Sequence, residues 1–182
     1  MKRFNLSILS ILSVIVFSAV SASAQSASVT SSATIVTPVT ASATAPLAFG
    51  TISKGSAATI AATSSSAAAV TFGGDESDNI TIAIPSTVTI ATTSGAGASM
   101  TVTLNRAAAR VGTTSTQAGG STLDVSSGTA TTTLSSDGSG DAVVGDGLGQ
   151  AYLWIGGTVT PTATQQRGSY SGTFTVSAAY SN

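Results

Sequence analysis

Cysteine and histidine are both absent from this chain of 182 residues. Without cysteine the chain forms no disulfide, so its stability has to come from hydrogen bonding and from an apolar core. Histidine is the commonest general base and metal ligand, and cysteine is a strong nucleophile. Their absence removes the usual routes to catalysis, and the sequence predicts a protein that is not an enzyme and holds no cofactor.

Charged and aromatic residues are scarce. Asp, Glu, Lys and Arg together make up 7% of the chain, and aromatic residues make up 5%. Ser, Thr, Gly and Ala must therefore form most of the surface. Six basic residues stand against seven acidic ones, so no basic patch attracts nucleic acid or an anionic membrane. We predict no nucleic-acid partner.

The first 24 residues have the three parts of a secretory signal peptide. Lys2 and Arg3 form a positive start, residues 6–20 are uncharged and apolar, and Ala22 and Ala24 are the small residues that a signal peptidase recognises. The apolar run is shorter than the roughly 20 residues of a membrane-spanning helix. We expect cleavage after Ala24 and export. The mature protein then keeps four basic and seven acidic residues, a net charge of −3, and does not span a membrane.

Apolar residues alternate with Ser, Thr and Ala along much of the remaining chain. Examples are LAFGTI at 47–52, NITIAIP at 79–85, SMTVTL at 99–104 and AYLWIGGTVTP at 151–161. A period of two residues, rich in Val, Ile and Thr and interrupted by Gly, Asp and Pro, predicts short β-strands. The fold class is therefore all-β, an antiparallel β-sandwich over residues 37–182. The alanines at 107–109 predict one helical turn at most, and Gly156-Gly157 predicts a bulge or a close backbone approach.

Residues 111–149 contain few large apolar side chains, and Gly, Ser, Thr and Asp dominate the segment. We expect a loop-rich region there. Leu123, Val125 and Leu134 are enough to support one hairpin within it.

Few residues suggest chemistry. A serine hydrolase without histidine needs a Ser–Lys pair, but Lys54 lies in an expected turn with no neighbouring base to activate it. Asp137, Asp141 and Asp146 are candidate metal ligands, because Ca²⁺ takes several oxygen ligands from a flexible loop. A second acidic cluster lies at 75–78. Neither cluster has a known calcium-loop spacing, and acidic turns explain both equally, so no metal is predicted.

The chain ends in a strictly alternating segment, GSYSGTFTVSAAYSN, at 168–182. Proteins usually protect an unpaired strand edge with charge or proline, and residues 169–182 contain neither. Two interpretations remain open. Either this strand lies inside a complete sheet, or its edge is kept for a strand from a partner. The apolar face consists of Tyr170, Phe174, Val176 and Tyr180.

Three segments, TIVTPVTASATAPLAFGTISKG, AYLWIGGTVT and RGSYSGTFTVSAAY, together resemble an uncharacterised family of exported bacterial β-sandwich domains, a domain of unknown function. The last segment also resembles the C-terminal strand of chaperone–usher fimbrial subunits. That resemblance implies an incomplete immunoglobulin-like sandwich completed by β-strand addition, from a chaperone or from another subunit. It implies that the apolar face of residues 168–180 borders the groove that the added strand fills. It also implies a donor segment at 25–36 whose contact residues are Ala27, Val29, Ala33 and Ile35.

These features predict an exported, non-enzymatic structural subunit of a fimbria-like surface polymer. Its route leads to the periplasm and then to the cell surface or a fimbria, or to secretion. Its partners are other copies of itself or a chaperone. The alternative is a self-contained secreted adhesin or binding module that uses the loops at 105–149.

Overall fold

The computed structural model describes residues 33, 35, 37–92, 97–113, 115–135 and 148–181. The chain divides into two units, residues 1–34 and 35–182, and all the elements given below belong to the second. In chain order the strands are β1 (Thr40–Ala45), β2 (Ala58–Ile60), β3 (Ala68–Asp75), β4 (Asn79–Ala83), β5 (Thr87–Thr92), β6 (Ser99–Leu104), β7 (Ala109–Gly112), β8 (Ser121–Leu123), β9 (Thr129–Thr133), β10 (Leu148–Ile155), β11 (Gly157–Val159), β12 (Tyr170–Ser171) and β13 (Ser177–Tyr180).

Helical structure in these residues is limited to two 3-10 turns, Arg106–Ala108 and Gln117–Gly119. The first lies at the alanines and is consistent with the expected limit of one helical turn there. Over the described ranges, no helix is long and apolar enough to cross a membrane.

The strands form three antiparallel sheets. Their orders are β1-β3-β10-β7-β8, β12-β5-β6-β11-β2 and β13-β4-β9. The predicted all-β, antiparallel sandwich is confirmed. Side chains from all three sheets meet in one core, because each strand points alternate residues to the same side.

The core follows the alternation seen in the sequence. Ile80, Ile82 and Ile84 are buried, as are Val102 and Leu104 of β6. Strand β3 alternates buried and half-buried residues along its whole length, with Phe72 fully buried at its centre. Burying an Ile, Leu or Phe side chain contributes roughly 1.5–3 kcal/mol, so these residues supply most of the apolar stabilisation in a chain with few large side chains.

At Gly156-Gly157 the chain passes from the first sheet to the second. Ile155 is paired with β3 in the first sheet, and Gly157 is paired with both β2 and β6 in the second. A Cβ on Gly156 would lie 2.2 Å from the carbonyl oxygen of Ile60 and 2.8 Å from the amide nitrogen of Ala62. The close backbone approach predicted for this pair is therefore present, and only glycine fits it.

Two expectations about individual segments are wrong. Residues 47–52 form no strand; they make an irregular segment in which Gly50 has a φ of 64°. Leu123, Val125 and Leu134 do not support one common hairpin, because β8 forms a hairpin with β7 and β9 pairs with β4 in another sheet. Leu123, Val125 and Leu134 are nevertheless all buried in the core.

Candidate binding groove

The C-terminal segment is divided between two sheets. Tyr170 and Ser171 form β12, which pairs with β5, and residues 177–180 form β13, which pairs with β4. Within the part of the chain that the structure describes, the backbone of residues 172–176 makes no hydrogen bond. Both β12 and β13 are terminal strands of their sheets, so in the described residues the outer edge of the whole segment has no partner strand.

Strand β1 has an edge of the same kind. It pairs with β3 on one side and is the terminal strand of its sheet. Its N-terminal end lies near Tyr180 and its C-terminal end leads to Pro46, which lines cavities together with Gly172 and Phe174. Strand β1 and the C-terminal segment therefore run in opposite directions along the two sides of one depression.

That depression, which we call the C-terminal groove, consists of two adjoining cavities. The smaller has a volume of about 390 Å³ and lies between the alanines of β1 and the unpaired residues 172–176. Its floor is Ala68, Ala69 and Val70 of β3. Because alanine side chains are short, the walls leave space that larger residues would fill.

The larger cavity has a volume of about 1070 Å³. Its apolar lining includes Val88, Ile90 and Met100, which point into the sandwich but remain half-buried. Residues 46–54 form one wall and residues 165–174 another. Side chains on the inner face of a sheet are normally covered, but no element of the described ranges fully covers these three.

Tyr180 lines neither cavity but joins the two sides of the groove beside β1 and β13, and we call this the closed end. Its hydroxyl accepts a hydrogen bond from the backbone amide of Asp75 (2.7 Å) and donates one to the carbonyl oxygen of Thr37 (2.7 Å). Gly74 makes space for the ring, because a Cβ there would lie 2.6 Å from the Tyr180 hydroxyl. The side chain of Asp75 also accepts a hydrogen bond from the amide of Thr37 (2.9 Å). The first residue of the sandwich is thus attached to the last strand.

The candidate groove-edge residues lie together at this site. Tyr170, Phe174, Val176 and Tyr180 are half-buried. Of these, Phe174, Val176 and Tyr180 pack against the core together with the half-buried Ala178, and the other residues between them are exposed. Tyr170 is fixed by a hydrogen bond from its hydroxyl to the carbonyl of Gln166 (2.7 Å). Sequence reasoning missed the opposite wall, Ala41, Ala43 and Ala45, because a Thr–Ala–Ser alternation has no apolar signal.

The candidate donor residues are only partly described. Ala33 is exposed, and Ile35 is 95% exposed. Ala27 and Val29 lie outside the described residues. An isoleucine with this exposure gains nothing from the hydrophobic effect within its own chain.

Titratable groups are few at the groove. Lys54 and Arg167 line the larger cavity, and Asp75, Glu76 and Asp78 belong to the turn between β3 and β4 at the closed end. Asp124 lies elsewhere, and its pKa is lowered by hydrogen bonds from the hydroxyl and then the amide of Ser126. The candidate metal ligands Asp137, Asp141 and Asp146 lie outside the described residues, and the described ranges contain no group of three metal-ligating side chains.

Fold and groove together define an antiparallel β-sandwich in which no described strand lies between β1 and the C-terminal segment. The chain belongs to the DUF4402 family, a domain of unknown function, whose family model matches residues 16–180. No match to the chain is found among curated proteins.

Proposed function

We propose that this protein is an exported, non-enzymatic structural subunit of a fimbria-like surface polymer that assembles by β-strand addition. Residues 25–36 of one copy enter the C-terminal groove of another copy. Before assembly, the same groove accepts a strand from a chaperone. Residues 1–24 direct export, and the polymer is displayed at the cell surface.

One observation carries the proposal: the unpaired backbone of residues 172–176 beside an apolar groove. Backbone N–H and C=O groups are obligatory hydrogen-bonding groups, and those of residues 172–176 have no partner among the described residues, so they can pair with an added strand. A strand laid in the groove satisfies these groups and covers Val88, Ile90 and Met100. In this mode of recognition, main-chain hydrogen bonds give affinity and alternate side chains give specificity.

The length and pattern of residues 25–36 support the choice of occupant. A strand rises about 3.3 Å per residue, so these residues span about 40 Å, which matches the roughly 36 Å of residues 170–180. Ala27, Val29, Ala33 and Ile35 alternate with Ser and Thr. Transfer of the exposed Ile35 side chain into the groove contributes roughly 1.5–3 kcal/mol.

The test compares a chain that begins at Gln25 with one that begins at Thr37. We expect SDS-resistant ladders from the longer chain and monomers from the shorter one. A peptide of residues 25–36 should raise the Tm of the shorter chain as its concentration rises, because a ligand that binds the folded state stabilises it.

A matched pair of substitutions shows whether the alternating face matters. Ile35→Asp introduces a charge on the face that enters the groove, and Thr34→Asp introduces the same charge on the opposite face. We expect the first to abolish ladders and the second to retain them. Monomers from both chain lengths would instead indicate the self-contained binding module, and unfolding of the shorter chain would make residues 25–36 the protein's own first strand. Either result contradicts strand donation.

A further inference from the structure

The groove has opposite charges at its two ends. At the open end, Lys54 and Arg167 line the larger cavity. Of the four basic residues in the described ranges, Arg106 and Arg110 donate hydrogen bonds to the carbonyls of Ser126 and Gly120. Lys54 and Arg167 make neither a hydrogen bond nor an ion pair with any described residue. Two exposed cations without a partner among the described residues therefore line the same cavity.

The closed end is acidic. Asp75 is the last residue of β3, and its amide donates a hydrogen bond to the Tyr180 hydroxyl; Glu76 and Asp78 lie on the turn that follows. The side chain of Asp75 binds the amide of Thr37. Because residues 25–36 are joined covalently to Thr37, any copy that donates this segment brings its own acidic turn to the end of the segment.

The donated segment can run in either of two directions. If residue 36 lies beside the closed end of the acceptor groove, the acidic turns of the two copies face each other. If it lies beside the open end, the acidic turn of the donor faces Lys54 and Arg167 of the acceptor. Opposed like charges disfavour an interface, and complementary charges speed the encounter and fix its orientation. The second arrangement makes the donated segment antiparallel to residues 170–180.

We propose that Lys54 and Arg167 bind the acidic turn, residues 75–78, of the neighbouring copy, and that this contact sets the direction of strand donation. The inference rests on the proposed function. It adds a second interface, between the bodies of successive subunits, to the strand in the groove. Its partner is a second copy of this chain, because the same molecule carries the complementary charges at its two ends.

Charge reversal in the full chain tests the contact. One variant combines Lys54→Glu with Arg167→Glu, and another combines Glu76→Lys with Asp78→Lys; Asp75 is retained because it binds Thr37. Each variant alone should assemble about tenfold more slowly than the wild type at low salt, with the rates converging at high salt as screening increases. An equimolar mixture, or one chain carrying all four substitutions, should recover the rate.

The four-substitution chain is the control for total charge, because its net charge equals that of the wild type. The two double variants change the net charge in opposite directions, so a common slowing cannot come from total charge. An unchanged Tm of each variant monomer would show that folding is intact. Equal assembly rates in all variants would overturn the charge contact while strand donation stands. Absence of assembly in the wild type would overturn both proposals.

Cross-linking tests the direction without altering any charge. The natural chain has no cysteine, so single introduced thiols give an unambiguous result. A Thr34→Cys chain is mixed with size-tagged chains carrying Ser171→Cys or Ala179→Cys, both at exposed positions. Disulfides need Cα atoms roughly 4.4–6.8 Å apart. We expect heterodimers mainly with Ser171→Cys, and preferential dimers with Ala179→Cys would overturn the proposed direction.

Discussion

Removal of one hydroxyl should open the closed end of the C-terminal groove. In Tyr180→Phe the ring keeps its packing, but the amide of Asp75 and the carbonyl of Thr37 lose their partners. The Asp75 amide is part-buried, and an unsatisfied donor in that position costs about 1–3 kcal/mol. The Thr37 carbonyl is exposed, so water replaces the hydroxyl there at little cost.

The expected loss is therefore about 2 kcal/mol of unfolding free energy. For a domain of this size it lowers Tm by about 4–8 °C. Thermal unfolding followed by circular dichroism measures the shift, and urea denaturation at an unchanged m-value confirms that stability alone has changed.

Tyr152→Phe is the matched control. Its hydroxyl also makes a part-buried hydrogen bond, but to the side chain of Gln150 (2.8 Å), which can turn towards water after the change. We expect a loss of under about 1 kcal/mol. If both variants lose the same stability, the hydroxyl of Tyr180 has no special role at the closed end, and the reasoning is refuted.

Three further predictions concern the sheet crossing at Gly156, the buried Ile82 compared with the exposed Ile35, and the carboxylate of Asp124. Gly156→Ala should cost more than about 3 kcal/mol in urea denaturation, because its Cβ would meet backbone atoms that cannot move aside; a small effect would mean that the two sheets are not fixed at this crossing. Ile82→Ala should cost about 2–5 kcal/mol because Ile82 is fully buried, whereas Ile35→Ala should leave the monomer's Tm unchanged and weaken assembly; equal Tm losses would contradict the exposure of Ile35. The pKa of Asp124 is lowered from its ordinary value of 3.8 in the folded state, so its contribution to stability is present above that value and lost as the pH falls through the folded pKa. Asp124→Asn should therefore flatten the acid limb of stability against pH, and an unaltered acid limb would contradict it.

Alternation predicted the central strands because one face of each is buried. The alternation of Ile80, Ile82 and Ile84 indicates both that the segment is a strand and which of its faces is buried. The same holds for Val102 and Leu104 in β6. Burial forces a period of two on such strands. The Gly156-Gly157 pair was equally readable, since a glycine pair inside a strand has few purposes other than close backbone contact or a bulge.

The segments that were misread have no such constraint. Strand β1 is almost entirely exposed, so its residues carry no apolar period. Residues 47–52 have alternating apolar residues but line a cavity instead of joining a sheet. Pairing of β9 with β4 depends on residues about fifty positions apart, which local patterns do not encode.

Only part of the candidate groove could be predicted from the sequence. The alternating face of the last strand is visible in the sequence because its large residues pack on the core. Its division into β12 and β13 is not visible in the sequence, because it depends on a difference in length between residues 172–176 and the stretch from β4 to β5 that lies opposite them. Residues 172–176 lie opposite a longer stretch that contains Pro85, which has no amide proton to donate.

The crossing at Gly156 has a mechanical consequence. One uninterrupted stretch, residues 148–159, supplies a central strand to the first sheet and an internal strand to the second. A force applied to one sheet is transmitted through this backbone to the other, so we expect that neither sheet can unfold while the other stays folded. The sandwich should yield as one block, in a single force peak, when pulled from its ends.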